Sequence, residues 1–352
     1  MYFPRVSYRR RRENGVALIV ALLVFAISAA LLVAMQREFT LDYRRGANRF
    51  IEEQSWAYLR GAEELATMAL QLDYDSDVAR EAPRDDLQEL WAQEAVPYAL
   101  DEGGWMFGSL QDLQGRFNLN SLDAAPTDGV GAAAYSPAQQ AFIRLLQALD
   151  GLELSQYDAI AIAESVADWI DTDSDTRLNG AESSFYASLS PSYRPANRAM
   201  ASVSELRAVA NITPALYRSL APLVSVWPRT PASINIHTAP LPVLRALNAD
   251  GNLQPLSLAD GETLLAQRAD TGFADREEFL ALPVFAGASL TGTASLIGES
   301  SAWFLLDSRV EIADREQRLY SVLRRDARQV TVLLRTGGGL YDLAMLVPET
   351  ER

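Results

Sequence analysis

Arg9-Arg10-Arg11-Arg12-Glu13-Asn14-Gly15-Val16-Ala17-Leu18-Ile19-Val20 leads into an apolar run that carries no charge from Asn14 to Gln36. Val16–Met35 is 20 residues long. At ~1.5 Å of rise per helical residue it spans roughly 30 Å, the hydrocarbon thickness of a bilayer. Arginines placed directly before such a segment stay on the cytoplasmic side, so the remainder of the chain is expected on the far side of the membrane. A secretory signal peptide would have a shorter core followed by a small-x-small cleavage site. Here the run passes into Gln36-Arg37-Glu38-Phe39 without one. A plain signal anchor is a second reading. A third starts from Gly15, which sits between the basic leader and the apolar run.

Working outward, the helix is expected to continue beyond the membrane. Phe39, Tyr43, Ala47, Phe50, Ile51, Gln54, Trp56, Tyr58 and Leu59 fall roughly on a repeating face, and Ala62, Leu65, Ala66, Ala69 and Leu70 extend it. No proline interrupts Val16–Leu72, which predicts either one long helix or two with a bend near Gly46 or Gly61. Asp73–Asp86 reads as a loop and Leu87–Leu100 as holding a short helix. Trp105–Leu122, with alternating apolar residues and glycine punctuation, reads as strand and turn. Ala124–Tyr135 is a stretch of small residues that marks a boundary.

Helical periodicity then dominates, in Gln139–Leu149, Tyr157–Ile170, a capped start at Ser204, another at Thr213-Pro214, Pro240–Leu247, Gly261–Arg268 and Asp275–Leu282. Trp303–Ile312, Arg318–Arg324 and Gln329–Arg335 alternate and are rich in Val, Leu, Tyr and Phe, as in an antiparallel meander. The order is long helix, some strand, many helices, then strands. It points to an α+β fold in which a large helical block is inserted into a smaller helix-plus-sheet domain.

The densest chemistry lies in Asp168-Trp169-Ile170-Asp171-Thr172-Asp173-Ser174-Asp175-Thr176-Arg177-Leu178-Asn179-Gly180-Ala181-Glu182. Alternate spacing at 171, 173 and 175 turns several carboxylates into one concavity, and Glu182 closes the set. Hard oxygen ligands in this number suit Ca²⁺, and there are enough of them for two ions. Taking Asp171 as position 1 of an EF-hand puts Glu182 correctly at 12, but Thr176 stands where that loop needs glycine. The loop therefore folds in another way. An exposed acidic turn without metal is the competing reading.

Composition narrows the function classes. Five arginines against Glu13 give residues 1–15 a charge of +4; the whole chain carries −15, which leaves −19 for the rest. So acidic a body repels nucleic-acid backbones. Ser233-Ile234-Asn235-Ile236-His237-Thr238-Ala239-Pro240, followed by Gly272-Phe273, resembles the layout of helix-hairpin-helix DNA-binding modules. Those modules use a tight glycine hairpin to offer N–H groups to phosphate, and Asp250–Asp260 has no compact glycine pair. No nucleic-acid partner is expected. The single histidine, His237, lies in an apolar context. No carboxylate pair outside the acidic loop is set for acid–base work, so no enzyme is expected. There is no cysteine, which removes disulfides and thiolate sites.

The leader itself, with Gly15 before Val16, resembles those of type IV pilin-like proteins, which are cut just after the glycine. Most members carry Glu at the fifth mature position; here that position is Val20. The whole chain resembles the K-class minor pseudopilins of type II secretion systems. The resemblance rests on that leader, on Gly115-Arg116-Phe117-Asn118-Leu119-Asn120-Ser121-Leu122, and on Asp168-Trp169-Ile170-Asp171 with its acidic loop. Further along it rests on Tyr193-Arg194-Pro195-Ala196-Asn197, Ser202-Val203-Ser204-Glu205-Leu206, Ile234–Pro240 and Ser321-Val322-Leu323-Arg324-Arg325.

The resemblance implies a cleaved leader over 1–15 and a transmembrane and stem helix over 16–72. It implies a pilin-like part over 73–125 and an inserted helical domain over 126–228. A second helical unit (helix-hairpin-helix-like or SAM-like) would cover 229–296, and a closing β part 297–352. It further implies prepilin peptidase processing between Gly15 and Val16, methylation, and a single-pass place in the inner membrane with a periplasmic body. The implied role is the tip of the pseudopilus, where assembly is initiated. The implied partners are the I and J class minor pseudopilins, other pseudopilins of the fibre and secreted substrates. Calcium, one or two ions, would be bound by Asp171, Asp173, Asp175 and Glu182, with Asp168 and Asn197 as further candidates.

Overall fold

A computed structural model describes residues 14–80, 83–93, 95–101, 103–124, 129–313 and 315–337. The basic leader before Asn14, residues 125–128 of the expected boundary and the last residues of the expected β part lie outside that range. Helix α1 (Asn14–Arg80) is continuous through Gly46 and Gly61, so the segment is one helix and not two. The chain divides into two compact units within it, residues 1–57 and 58–352.

In the first unit the side chains from Val16 to Met35 are almost all uncovered, Phe25 at 72% exposure among them. This helix is long and apolar enough to cross a membrane. Phe39, Tyr43 and Phe50 are also uncovered.

In the second unit, α1 buries Leu59, Ala62, Ala66 and Leu70, a stripe at helical spacing. Asp73–Arg80 is helix, contrary to the loop expected there. Two things sustain it. No proline lies between Val16 and Ala82, the next being Pro83. The polar side chains are also paired: Asp73 with Arg325 at 2.6 Å and Asp75 with Arg328 at 3.0 Å.

Beyond α1 come a one-turn 3₁₀ helix (Leu90–Ala92), β1 (Tyr98–Ala99), β2 (Trp105–Asp112) and β3 (Phe117–Asn118). The helical unit follows with α2 (Pro137–Gln147), α3 (Gln156–Ile170), α4 (Ser183–Ala187), α5 (Pro214–Leu220), β4 (Val224–Ser225), β5 (Ile234–Asn235), α6 (Leu241–Ala246), α7 (Leu258–Asp270), α8 (Arg276–Leu280), α9 (Thr291–Leu296) and β6 (Ile297–Gly298). The chain then returns to the sheet through β7 (Trp303–Ile312), β8 (Arg315–Asp326) and β9 (Gln329–Thr336).

The main sheet runs β1-β2-β7-β8-β9, antiparallel throughout, so β2 and β7 are neighbours although the whole helical unit lies between them in sequence. That arrangement is the insertion expected from the order of elements. Side chains alternate along β7. Phe304 and Leu306 join Leu323, Trp91, Ala66 and Leu70 in a core on one face of the sheet. Leu305 on the other face joins Tyr320, Val322 and the core of the helical unit. Burial on both faces is why Trp303–Leu306 reads as an uninterrupted apolar run.

Three helix starts in the helical unit carry side-chain caps, and the one at Thr213 is the start expected from Thr213-Pro214. Ser136 and Gln139 form a capping box on α2, Thr213 caps α5 and Asp275 caps α8. A fourth corrects the expectation at Ser204. Ser202 is the cap, with Glu205 completing the box, because Glu205 lies three residues after Ser202 and its carboxylate reaches back to the Ser202 N–H at 3.2 Å.

Between α6 and α7 the hairpin turns its carbonyls inward. Arg144, 1% exposed, donates to the carbonyls of Ala246 (3.0 Å), Asn248 (3.2 Å), Ala249 (2.9 Å) and Asn252 (2.6 Å). Asp250 accepts from the N–H groups of Gly292 and Thr293. This hairpin is an internal polar joint, built unlike the outward-facing N–H turn that phosphate binding requires.

Candidate metal centre

Helix α3 delivers the acidic loop. Its last turn carries Asp168, fully buried, and Asp171 is its C-cap. The chain then bends through Thr172–Asp173. The Asp175 N–H bonds back to Asp173 Oδ1 at 2.8 Å, a local turn of the kind aspartates favour. The loop closes at Gly180, where a Cβ would collide with Asp168 Oδ2. A glycine is therefore needed at this point, not at the position an EF-hand would demand. Glu182 caps α4, and its Oε2 accepts the Ser183 N–H at 2.9 Å.

The result brings Asp171, Asp173 and Glu182 together, with one carboxylate oxygen of each within 4.8 Å of the others. Asp175 is exposed and lies outside this group. Asp168 also lies outside it, held by Arg177. The Arg177 Nη1 donates to Asp168 Oδ1 at 2.6 Å and also to Asp171 Oδ2, and its backbone N–H bonds Asp168 Oδ2 at 3.3 Å. Asn197 approaches from the segment after α4, in the left-handed conformation at φ 44°. Its Nδ2 donates to the Asp173 carbonyl at 2.6 Å and its N–H to the Trp169 carbonyl at 3.0 Å. Trp169, Tyr186 and Tyr193 pack edge to face and tilted around the same corner, with ring centroids 5.3 and 5.2 Å apart along the series.

Asp171 Oδ1, Glu182 Oε1 and Asn197 Oδ1 are buried and have no hydrogen-bond partner. Buried oxygens are normally paired, and leaving one unpaired costs about 1–3 kcal/mol. Burial pushes the Asp171 and Glu182 carboxyls upward. Arg177 opposes this at Asp171, and the Ser183 N–H opposes it at Glu182. Several hard oxygens with unused lone pairs, close together and partly desolvated, fit a divalent cation of the calcium type. The residues thus fit the ion that the sequence suggested.

A second acidic cluster is not visible locally in the sequence. Asp73, Asp85 and Glu89 also bring carboxylate oxygens within 4.8 Å. Here Arg325 Nη1 meets Asp73 at 2.6 Å and Nη2 meets Asp85. Glu89 accepts from Trp91 Nε1 at 2.9 Å and from the Asp86 N–H at 3.0 Å. Nearby Asp112 accepts from Ser301 (2.6 Å), Thr238 (2.5 Å) and Asn235 (3.1 Å). Burial raises Asp85 to about 7 and Glu89 to about 8.

His237 is buried against Phe273, and burial lowers it to about 4, with Arg84 acting in the same direction. It packs as a core residue. Arg177 is the site residue whose role the sequence did not signal: a lone arginine in an acidic run reads as a solvated charge.

A long apolar helix, an antiparallel sheet and a helical insertion with an acidic loop together define the fold. Models of the family described as type II secretion system (T2SS), protein K, match residues 115–229 and 234–298. The type II secretion system protein K of Aeromonas hydrophila is 30% identical over 333 residues, 94% of this chain and 98% of that relative. The Pseudomonas aeruginosa protein K is 33% identical over 320 residues, 90% of each. The crystal structure of the GspK-GspI-GspJ complex from the type 2 secretion system of enterotoxigenic Escherichia coli contains a chain of similar fold. It aligns with a TM-score of 0.71 at 29% identity, covering 84% of this chain and 99% of that one. The chain belongs to the type II secretion system protein K family.

Proposed function

We propose that this pseudopilin forms the tip of the type II secretion pseudopilus and initiates its assembly, as a structural subunit. Val20, in the fifth position after Gly15, carries the reading. In a pilin-type fibre an acidic residue there offsets the N-terminal amine of a neighbouring subunit in an apolar surround, where an unpaired charge is costly. A subunit with valine at that place suits the one position with no such amine to offset. The complex formed by the similar chain with GspI and GspJ supports I and J class minor pseudopilins as partners.

In this reading prepilin peptidase cuts between Gly15 and Val16, and the new N-terminus is methylated. Helix α1 anchors the chain in the inner membrane, and the acidic body lies in the periplasm, placed to meet secreted substrates. Asp171, Asp173, Glu182 and Asn197 Oδ1 hold calcium. The ion, when bound, supplies positive charge to oxygens that the fold leaves unpaired.

Labelling this chain in isolated pseudopili tests the assignment. Label at one end of each fibre is expected, and label along the shaft would contradict it. Intact mass of the membrane-extracted chain is expected to begin at Val16.

A further inference from the structure

Asp171 divides its two oxygens. Oδ2 is taken by Arg177 Nη1, while Oδ1 is buried with no hydrogen-bond partner, and one carboxylate oxygen of Asp171 belongs to the cluster with Asp173 and Glu182. The same Nη1 holds Asp168, and Nη2 donates to the Ala124 carbonyl at 3.3 Å. The guanidinium is thus fixed from three sides, by two carboxylates of α3 and by a carbonyl of the segment that precedes the helical unit. Asp168 is in turn fixed by the close pass of Gly180. A carboxylate gripped by one oxygen has fewer orientations open to it, which biases where its second oxygen points.

We propose that Arg177 is a positioning residue for the cation site: by gripping Asp171 Oδ2 it points Oδ1 at the place where the ion binds. This rests on the calcium reading above and adds to it a residue that is no ligand. The arrangement follows the general pattern in which a second partner orients a metal-binding group, and losing such a partner typically lowers metal affinity about 10–100-fold. An opposite effect is physically available, because a guanidinium beside a dication repels it. The sign of the change therefore decides between the two roles.

The test is calcium titration calorimetry on the detergent-solubilised full chain, stripped with EDTA, for wild type and Arg177→Gln. Thermal melting of each in EDTA and in saturating calcium accompanies it. Weakening of calcium binding by about 10–100-fold, with a smaller calcium-induced rise in melting temperature, is the expected result. An unchanged affinity, with both melting temperatures lowered equally, would make Arg177 merely structural. Tighter binding would make it a competitor of the ion. Either result overturns the proposal while leaving the calcium site standing. No calcium heat in wild type overturns the site and the proposal together. Should Arg177→Gln fail to fold because Asp168 is left buried and unpaired, the Asp168→Asn/Arg177→Gln double variant removes that charge, and the same shift in affinity is expected of it.

Discussion

Two acidic clusters in this protein look alike by proximity and differ in what their oxygens do. Asp73, Asp85 and Glu89 at the sheet, like Asp171, Asp173 and Glu182 in the loop, gather carboxylates within 4.8 Å. At the sheet the fold supplies its own cation, Arg325, which meets Asp73 and Asp85; the Ser301 N–H donates to Asp85, and Trp91 Nε1 and the Asp86 N–H donate to Glu89. In the loop, Arg177 takes one oxygen of Asp171, while Asp171 Oδ1, Glu182 Oε1 and Asn197 Oδ1 are left over. A tally of carboxylates cannot separate a structural ion-pair network from a metal site. Unspent, buried oxygens can.

Four perturbations break or sharpen that contrast, in decreasing order of expected effect. Arg325→Met strips the sheet cluster of its cation and leaves Asp73 and Asp85 buried and uncompensated, which costs about 3–5 kcal/mol of unfolding free energy. Denaturant titration measures it, and added calcium is expected to rescue none of the loss.

If the loop holds calcium as proposed, the ion at about 100-fold excess over its dissociation constant is expected to stabilise the wild type by about 2.7 kcal/mol. Glu182→Gln is expected to abolish that increment in a melting experiment and Glu89→Gln to leave it intact. Gly180→Ala forces a Cβ into Asp168 Oδ2 and is expected to cost about 1–3 kcal/mol, the usual range for overpacking. Melting should show the loss with and without calcium.

The smallest effect, counted per titrating group and per pH unit, is that of pH. Asp85 and Glu89 titrate in the folded state near about 7 and about 8 because burial disfavours their charged forms. The folded protein then binds more protons than the unfolded chain. Stability is fully present below the ordinary carboxylate range and is lost as pH rises through 7 and 8, by up to about 1.4 kcal/mol per pH unit for each proton released. Melting from about pH 6 to 9 is expected to show this decline. Glu89→Gln should make it shallower.

The same contrast explains how much was legible in the sequence. The loop is legible because Asp171, Asp173 and Glu182 lie within one short segment, and the start at Thr213-Pro214 is legible because caps are local. The β7 limits, Trp303 and Ile312, followed from alternation, and the insertion followed from the order of elements. The sheet cluster was invisible because Asp73, Asp85, Asp112 and Arg325 are brought together only by tertiary structure. For the same reason Asp73–Arg80 read as loop: its polar residues are helical through partners on β8 and in the β8–β9 turn, Arg325 and Arg328, that periodicity cannot reveal. Ser202 was passed over for Ser204 although its spacing to Glu205 is the capping-box spacing. Asp175 looked equivalent to Asp173 from alternation, but the local turn at Asp173 sends it outward.

Calorimetric titration of calcium into the EDTA-stripped full chain, in parallel for wild type, Glu182→Gln and Glu89→Gln, tests most directly which cluster is the cation site. Saturable binding in wild type and Glu89→Gln, lost in Glu182→Gln, is the result expected here. Binding that survives Glu182→Gln and disappears in Glu89→Gln, or no binding in wild type, would contradict it.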